Sequence, residues 1–181
     1  MSDRLAVLPQ YLLPKQALTA LAGKVAQAQA GGLTTQLIRW FVQRYQVDMH
    51  EAANPDIASY PSFNAFFTRP LKDGARPIAR AADAVVSPAD GAISQLGKID
   101  GDAVFQAKGQ SFSVEQLVGD AALAAPFKHG EFATVYLSPR DYHRVHMPFA
   151  GRLTDTLYIP GELFSVNGTT AQHVDGLFAR N

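Results

Sequence analysis

The chain has 181 residues, a length typical of one domain or of one domain with an appendage. It contains no cysteine, which excludes disulfides, cysteine-ligated zinc, iron–sulfur clusters and a thiol nucleophile. The formal net charge is zero, which argues against a globally basic nucleic-acid-binding protein. Charged residues make up 18% of the chain, below the roughly 25% typical of soluble domains. A low charge content leaves more of the surface apolar or merely polar, which favours contact with a membrane or with a missing partner.

The zero net charge conceals an uneven distribution along the chain. The stretch from Arg4 to Val47 carries five basic residues and no acidic one, so the rest of the chain is net negative. No run reaches the roughly 18 apolar residues that a transmembrane helix needs. Prolines interrupt residues 1–15, which argues against a secretory signal peptide.

Two amphipathic helices are predicted in chain order within this basic stretch. The first has apolar positions at three- and four-residue intervals, and Gly31-Gly32 ends it: Ala17, Leu18, Leu21 and Val25. The second, with Thr34 or Thr35 as its cap, places five residues on one face: Leu37, Ile38, Phe41, Val42 and Tyr45. The basic charge favours a membrane interface for these helices, and the alternative is that the same face packs on the rest of the protein. We predict that residues 1–47 form an amphipathic membrane-association segment.

Residues 48–83 are predicted to be a connecting region of helix and loop. Within it, FNAFFTRPLKDGARPI (63–78) places Phe63, Phe66 and Phe67 at helical spacing before Pro70. Because aromatic side chains dominate core burial, these three residues are interpreted as core residues rather than as a ligand cage.

From residue 84 onward the sequence changes to short strands and turns. Strands are predicted at Ile93–Ile99 and Ala103–Ala107, joined by an Asp100-Gly101 hairpin, and at Phe132–Leu137 and Arg152–Ile159. Ser113 and Gln116 have the spacing of a capping box that opens a short helix. The chain is therefore predicted to be α+β, with a helical amino-terminal segment followed by a β-rich domain over residues 84–181.

The residue types that carry acid–base chemistry concentrate in SPRDYHRVHMP (138–148). If Ser138 and Pro139 open one helical turn, His143 and His146 lie on the same face, close to Asp141. Two imidazoles beside a carboxylate can act as acid–base groups near neutral pH. They could also hold a metal, for which the candidate further ligands are His129, His173, Asp90 and Asp141, or they could be hydrogen-bonded structural residues. By spacing alone, Asp90 is a turn residue before Gly91.

Several motifs in order resemble one family. SPADGAISQLGKI (87–99), SPRDYHRVHMP (138–148) and YIPGELFSVN (158–167) closely resemble the phosphatidylserine decarboxylases, and FNAFFTRPLKDGARPI resembles an upstream motif of that family. YLLPK and VDMHEA (47–52) resemble bacterial, membrane-associated members. The resemblance implies a pyruvoyl-decarboxylase-like β-rich domain in a proenzyme whose internal Gly-Ser bond cleaves itself. The serine then becomes the pyruvoyl group of a small second chain.

The resemblance also assigns roles to residues. Asp90 and His146 match the acid and the base of an Asp-His-Ser arrangement for self-cleavage, and His143 matches a histidine of the decarboxylation step. The implied reaction converts phosphatidylserine to phosphatidylethanolamine and CO2 through a Schiff base on the pyruvoyl group, without a metal. The implied partners are membrane phospholipid, the pyruvoyl-bearing carboxyl-terminal chain and a second copy in a homodimer. The implied location is peripheral, on the cytoplasmic face of the bacterial inner membrane.

One departure from the family pattern concerns the serine that forms the pyruvoyl group. None of the 14 glycines is followed by serine, so the LGS-type motif is missing from these residues. We expect an amino-terminal part that is incomplete at its carboxyl end, inactive alone, and unstable without the missing strands. The alternatives are a non-catalytic membrane-surface binding module and, with less support, a metal hydrolase that uses His143 and His146.

Overall fold

The computed structural model describes residues 3–81, 83–107 and 109–181. They form two compact units, one built from residues 3–21, 93–107, 109–134 and 155–181 and the other from residues 22–81, 83–92 and 135–154. Helices and two small β-sheets make up the chain, which confirms the predicted α+β class. The functional division at residues 47 and 83 stays a prediction.

Three helices occupy the basic stretch: α1 (Asp3–Leu12), α2 (Lys15–Gln27) and α3 (Gly32–Tyr45). The two predicted helices correspond to α2 and α3. The predicted cap of the second helix is wrong, because α3 begins after Gly31, whose φ of 55° suits glycine. Thr34 instead lies inside the helix, where its hydroxyl accepts a hydrogen bond from the Ala30 amide at 3.0 Å. Among the described residues, no helix is both long and apolar enough to cross a bilayer.

The face of α3 that sequence favours for a membrane belongs to the core of the second unit. Ile38 is fully buried there together with Phe66 of α4 (Phe63–Phe67). Other aromatic and aliphatic residues pack around them, including Phe41, Val42, Tyr45, Phe63 and Phe67. The alternative of packing against the protein is therefore confirmed for this face except at Leu37, which is exposed, and the core role of the three phenylalanines is confirmed as well. Ser62 caps α4 by accepting from the Ala65 amide at 3.2 Å.

A different stripe of α3 faces outward. Leu33, Leu37 and Trp40 are exposed and lie at intervals of four and three residues, which places them on one side of the helix. Leu18, Leu21 and Val25 of α2 are exposed in the same way, and α2 contains no buried residue. The exposed apolar stripe of α3 therefore borders the buried face and includes one residue of the predicted face, Leu37.

The first unit carries the strands. β1 (Ala92–Lys98) is the neighbour of β4 (Glu131–Tyr136), and β2 (Ala103–Ala107) pairs antiparallel with β3 (Gln110–Ser113). The Asp100-Gly101 turn forms, with a bridge between Asp100 and Ala103, but the predicted hairpin between the flanking strands is wrong. β2 pairs instead with β3, the next strand along the chain. In this pairing Val104 lies opposite Phe112, and both side chains are buried.

Short helices complete the first unit. α5 (Val114–Val118) opens with the predicted capping box, in which the Ser113 hydroxyl and the Gln116 amide group each bond the other's backbone N–H. α6 (Ala121–Ala124) and α7 (Gly168–His173) follow. The predicted strand Arg152–Ile159 is wrong: these residues have no regular secondary structure, and Leu153 and Tyr158 are at least 80% exposed. A strand needs a hydrogen-bonding neighbour, and the described residues supply none here.

Helix α1 is held within the core of the first unit. Val7 packs with Phe164, Val174 and Leu177, and the Tyr11 ring meets the Phe164 ring edge to face at 4.8 Å. The ammonium group of Lys15 lies over the Phe164 ring at 4.0 Å and bonds the Gln10 carbonyl oxygen at 3.1 Å. Lys15 therefore serves this packing and does not project as a free surface charge.

Candidate functional site

The segment 138–148 is a turn followed by irregular chain, so the predicted helical turn is wrong. The Asp141 amide bonds the Ser138 carbonyl oxygen, which closes the turn. The Asp141 carboxylate accepts from the Ser138 amide at 2.6 Å and from its hydroxyl at 2.8 Å. The carboxylate thus satisfies the donors of Ser138, instead of Ser138 capping a helix. With no helix over residues 142–147, His143 and His146 are placed by their own contacts.

His143 is fixed by one hydrogen bond and one ring contact. Its Nδ1 lies 2.8 Å from the Asp141 carbonyl oxygen. Since a carbonyl can only accept, Nδ1 carries the proton and Nε2 of the neutral ring is left as an acceptor. The imidazole also lies against the Phe67 ring, with centroids 4.1 Å apart. His143 is half-buried and has one basic nitrogen that can exchange a proton.

His146 is exposed and is oriented by Tyr142. The two rings stack with centroids 5.6 Å apart, and His146 Nε2 lies 3.1 Å from the Tyr142 hydroxyl oxygen. Tyr142 itself is buried, so it forms a firm platform for the imidazole. A phenol hydroxyl can both donate and accept, which allows a proton to pass between the two groups.

Asp90 lies in a bend that is tied to the His146 segment. The His146 amide donates to the Pro88 carbonyl oxygen at 2.7 Å, and the Val86 amide donates to that of Pro148 at 2.9 Å. Gly91 follows with φ of 122°, and a side chain there would collide with the Tyr136 carbonyl oxygen. The backbone therefore fixes where Asp90 stands relative to the chain that carries His146.

The Asp90 carboxylate forms an ion pair with Arg76. Arg76 Nη2 lies 2.6 Å from Asp90 Oδ2, and the same guanidinium group reaches Glu51 Oε2 at 2.8 Å. Hydrogen bonds to Asp90 and then to Glu51 raise the pKa of Arg76, so it stays charged at every relevant pH. Arg76 and Glu51 were missed as site residues, although both stand in motifs that support the family resemblance. No sequence spacing reveals the contact, because 25 residues separate them.

Asp90 and His146 line one cleft of about 530 Å³, together with Tyr142 and Arg76. Apolar side chains complete its wall, among them Leu71, Ile78, Val86 and Met147. This volume lies within the range of small-molecule sites, and the lining combines an apolar wall with a few convergent polar groups. The cleft therefore brings together the predicted acid and the predicted base. Among the described contacts, no hydrogen bond joins Asp90 directly to His146.

A smaller polar cavity of about 240 Å³ adjoins the same residues. Arg69, Asp48 and Asp141 line it beside Arg76 and Asp90. Arg69 is buried, its guanidinium lies over the Phe66 ring at 5.2 Å, and burial lowers its pKa. It thus anchors this wall of the second unit to the core.

The other histidines considered as metal ligands belong to the first unit. His173 Nδ1 lies 2.8 Å from the Thr169 carbonyl oxygen, and the backbone amide of His129 bonds the Gly101 carbonyl oxygen. Over the part of the chain that the structure describes, no three histidine or carboxylate side chains stand close enough to share a metal ion.

Comparison with known proteins gives a consistent result. The family model described as phosphatidylserine decarboxylase matches residues 63–181, and a second model described as PSD matches residues 5–46. The whole chain is similar to a phosphatidylserine decarboxylase proenzyme of Dechloromonas aromatica, with 71% identity over 64% of that protein. It is also similar to proteins of the same name from Azoarcus, with 65% identity over 62% of that protein, and from Delftia acidovorans, with 66% over 63%. The chain therefore spans less than two thirds of the length of these relatives.

Proposed function

The chain belongs to the phosphatidylserine decarboxylase family, and we propose that it forms part of an enzyme that converts phosphatidylserine to phosphatidylethanolamine and CO2. The observation that carries this proposal is the cleft in which Asp90 and His146 stand together beside Tyr142. Family membership supplies the reaction, and the cleft supplies residues whose chemistry fits it.

His146 is proposed as the base for self-cleavage of the precursor. An exposed imidazole at the cleft can take the proton of an incoming serine hydroxyl, and a nearby carboxylate stabilises the imidazolium that results. Asp90 supplies that carboxylate. His143 is proposed to handle protons during decarboxylation through Nε2, since its Nδ1 is committed to the Asp141 carbonyl oxygen.

The cofactor implied by the family is a pyruvoyl group. Its carbonyl, when present, supplies the electron sink that loss of CO2 requires. The residues present fit such a group, because the cleft offers a base, a hydroxyl and an anchored carboxylate around an apolar wall. We propose that the serine from which it forms lies outside these 181 residues, since no glycine here is followed by serine. On this proposal the 181-residue chain alone has no decarboxylase activity.

The proposed partner is a phospholipid surface, reached by the outward stripes of α2 and α3. Leu33, Leu37 and Trp40 form an exposed apolar stripe on α3, and exposed Arg39 and Arg44 accompany it. Apolar side chains flanked by basic ones suit the interface of an anionic bilayer. The proposal places the protein peripherally on the cytoplasmic face of the bacterial inner membrane.

The test is expression of the gene product in full, followed by two measurements. Mass spectrometry should find two chains, the smaller with a pyruvoyl amino terminus, and carboxyl-labelled phosphatidylserine in vesicles should release labelled CO2. The 181-residue chain, as the matched control, should release none. An intact full product that binds vesicles without releasing CO2 would refute the enzyme and support the alternative of a non-catalytic membrane-surface module.

A further inference from the structure

The guanidinium group of Arg76 is saturated by two carboxylates and one carbonyl. Nε donates to Asp90 Oδ1 at 3.0 Å, and Nη2 donates to Oδ2 of the same residue at 2.6 Å. The opposite edge donates from Nη1 to Glu51 Oε1 at 2.9 Å and from Nη2 to Oε2 at 2.8 Å. The remaining Nη1 proton goes to the Ala75 carbonyl oxygen at 2.8 Å. All five N–H donors of the side chain are therefore used.

Such saturation is unusual for a side chain that is 40% exposed to solvent. Isolated surface ion pairs contribute little because each long side chain keeps other conformations. A guanidinium group that is hydrogen-bonded along both edges loses those other conformations. Its paired N–H···O bonds also fix the plane of each carboxylate. The Asp90 side chain, 20% exposed, is thereby held in one orientation at the edge of the cleft.

The pattern of bonds leaves one oxygen of Asp90 with spare capacity. Oδ2 accepts from both Nε and Nη2 of Arg76, whereas Oδ1 accepts only from Nε. Each carboxylate oxygen has two lone pairs, so Oδ1 can still accept an imidazole N–H. Arg76 thus restrains the carboxylate without closing it to His146.

The second carboxylate makes the net charge of the cluster at the cleft negative. A pair of Arg76 and Asp90 alone would be neutral and would give a protonated imidazole little electrostatic support. With Glu51 the three side chains carry a net charge of −1, which favours an imidazolium nearby. Lys72 and Asp73 also line the cleft, and their charges offset each other. In the adjoining polar cavity, the charges of Arg69 and Arg140 offset those of Asp48 and Asp141.

We propose that Arg76 and Glu51 are positioning residues for self-cleavage: Arg76 aims the Asp90 carboxylate, and Glu51 keeps the cluster negative. This inference rests on the proposed function. Neither residue touches the reacting atoms, and both act through Asp90.

The experiment measures the rate of self-cleavage in the full gene product by pulse labelling. Arg76→Ala should slow cleavage by about 100-fold, as expected when a catalytic group loses its position. Arg76→Lys should stay slow because an ammonium group lacks the planar fork. Added guanidinium ion should restore part of the rate of Arg76→Ala. Arg80→Ala, which removes an exposed arginine outside the cluster, should cleave at the unmodified rate.

Two variants of Glu51 separate the effect of its charge from the effect of its size and shape. Glu51→Gln keeps the size and one acceptor but neutralises the cluster, so it should cleave more slowly than Glu51→Asp, which keeps the charge. Equal rates for Arg76→Ala and the unmodified protein would overturn the inference. So would a loss that guanidinium does not restore and that comes with a lowered unfolding midpoint, because that result indicates a merely structural role.

A second measurement does not depend on activity. In the full gene product, the Arg76 Nε–H proton should exchange slowly with water and give its own NMR signal, and Asp90→Asn should remove that signal. Exchange as fast as that of Arg80 would overturn the inference. If the full product neither cleaves nor releases CO2, the proposed function fails, while the NMR result still decides whether the cluster exists.

Discussion

We expect the outward stripe of α3 to bind an anionic membrane with a strength that depends on its exposed basic and apolar residues. Arg39 and Arg44 are exposed, and each basic residue near an anionic surface contributes about 1 kcal/mol. Replacing both with glutamine should therefore cost about 2 kcal/mol, which corresponds to roughly 30-fold weaker binding. Leu33, which is 70% exposed, adds the apolar part, and Leu33→Ala should cost about 1–2 kcal/mol.

The chain contains its own probe for this measurement. Trp40 is the only tryptophan, and it lies on the stripe, 55% exposed. Its fluorescence should shift to shorter wavelength when vesicles containing phosphatidylglycerol are added, because the indole leaves water. The shift should be weaker with pure phosphatidylcholine, and it should weaken in 1 M salt, where the screening length falls to about 3 Å.

The matched control is Arg152→Gln, which removes an exposed positive charge outside the helices. It should bind anionic vesicles as the unmodified chain does. If the double variant of Arg39 and Arg44 binds as tightly as the control, electrostatic attraction through α3 is refuted. If Trp40 shows no shift with any vesicle, the stripe does not meet the membrane at all.

Two further predictions concern the packing that supports the site. Phe66→Ala should lower the free energy of unfolding by about 3–5 kcal/mol in urea titrations. Phe149→Ala, which removes an exposed ring, should change it by less than about 1 kcal/mol. Similar losses from the two variants would show that the phenylalanine cluster is not a core. Gly91→Ala should cost about 2 kcal/mol more than Gly74→Ala by the same assay, since both glycines have positive φ but only Gly91 would collide with Tyr136. Equal losses would contradict the close approach.

Local features of the fold could be predicted from sequence because they depend on neighbouring residues. Residue spacing within one or two helical turns was enough to predict three such features: helix α2, helix α4 and the Ser113–Gln116 capping box. Strand pairing could not be predicted in the same way. The Asp100-Gly101 turn is present, but β2 pairs with β3 rather than with β1. The β2–β3 register buries Val104 opposite Phe112.

The candidate site shows the same limit. Histidines three residues apart indicated a functional segment, but their placement follows from Phe67 and Tyr142 rather than from helical spacing. The Arg76 cluster joins residues 14 and 25 positions away from it along the chain, and no local pattern marks such a contact. Distant ion pairs become visible only when the intervening chain is folded.

Contacts between the segments 63–69 and 140–144 explain why the site depends on a core helix. Phe67 supports the His143 ring, Arg144 Nε donates to the Thr68 carbonyl oxygen at 2.8 Å, and Arg69 reaches the Arg140 carbonyl oxygen at 3.5 Å. The same helix buries Phe66 in the core, so displacement of that helix shifts the support of the irregular segment. An irregular segment has no ladder of backbone hydrogen bonds of its own to hold its shape. The orientation of His143 is consequently determined by the packing of α4, which makes the aromatic cluster part of the site's architecture.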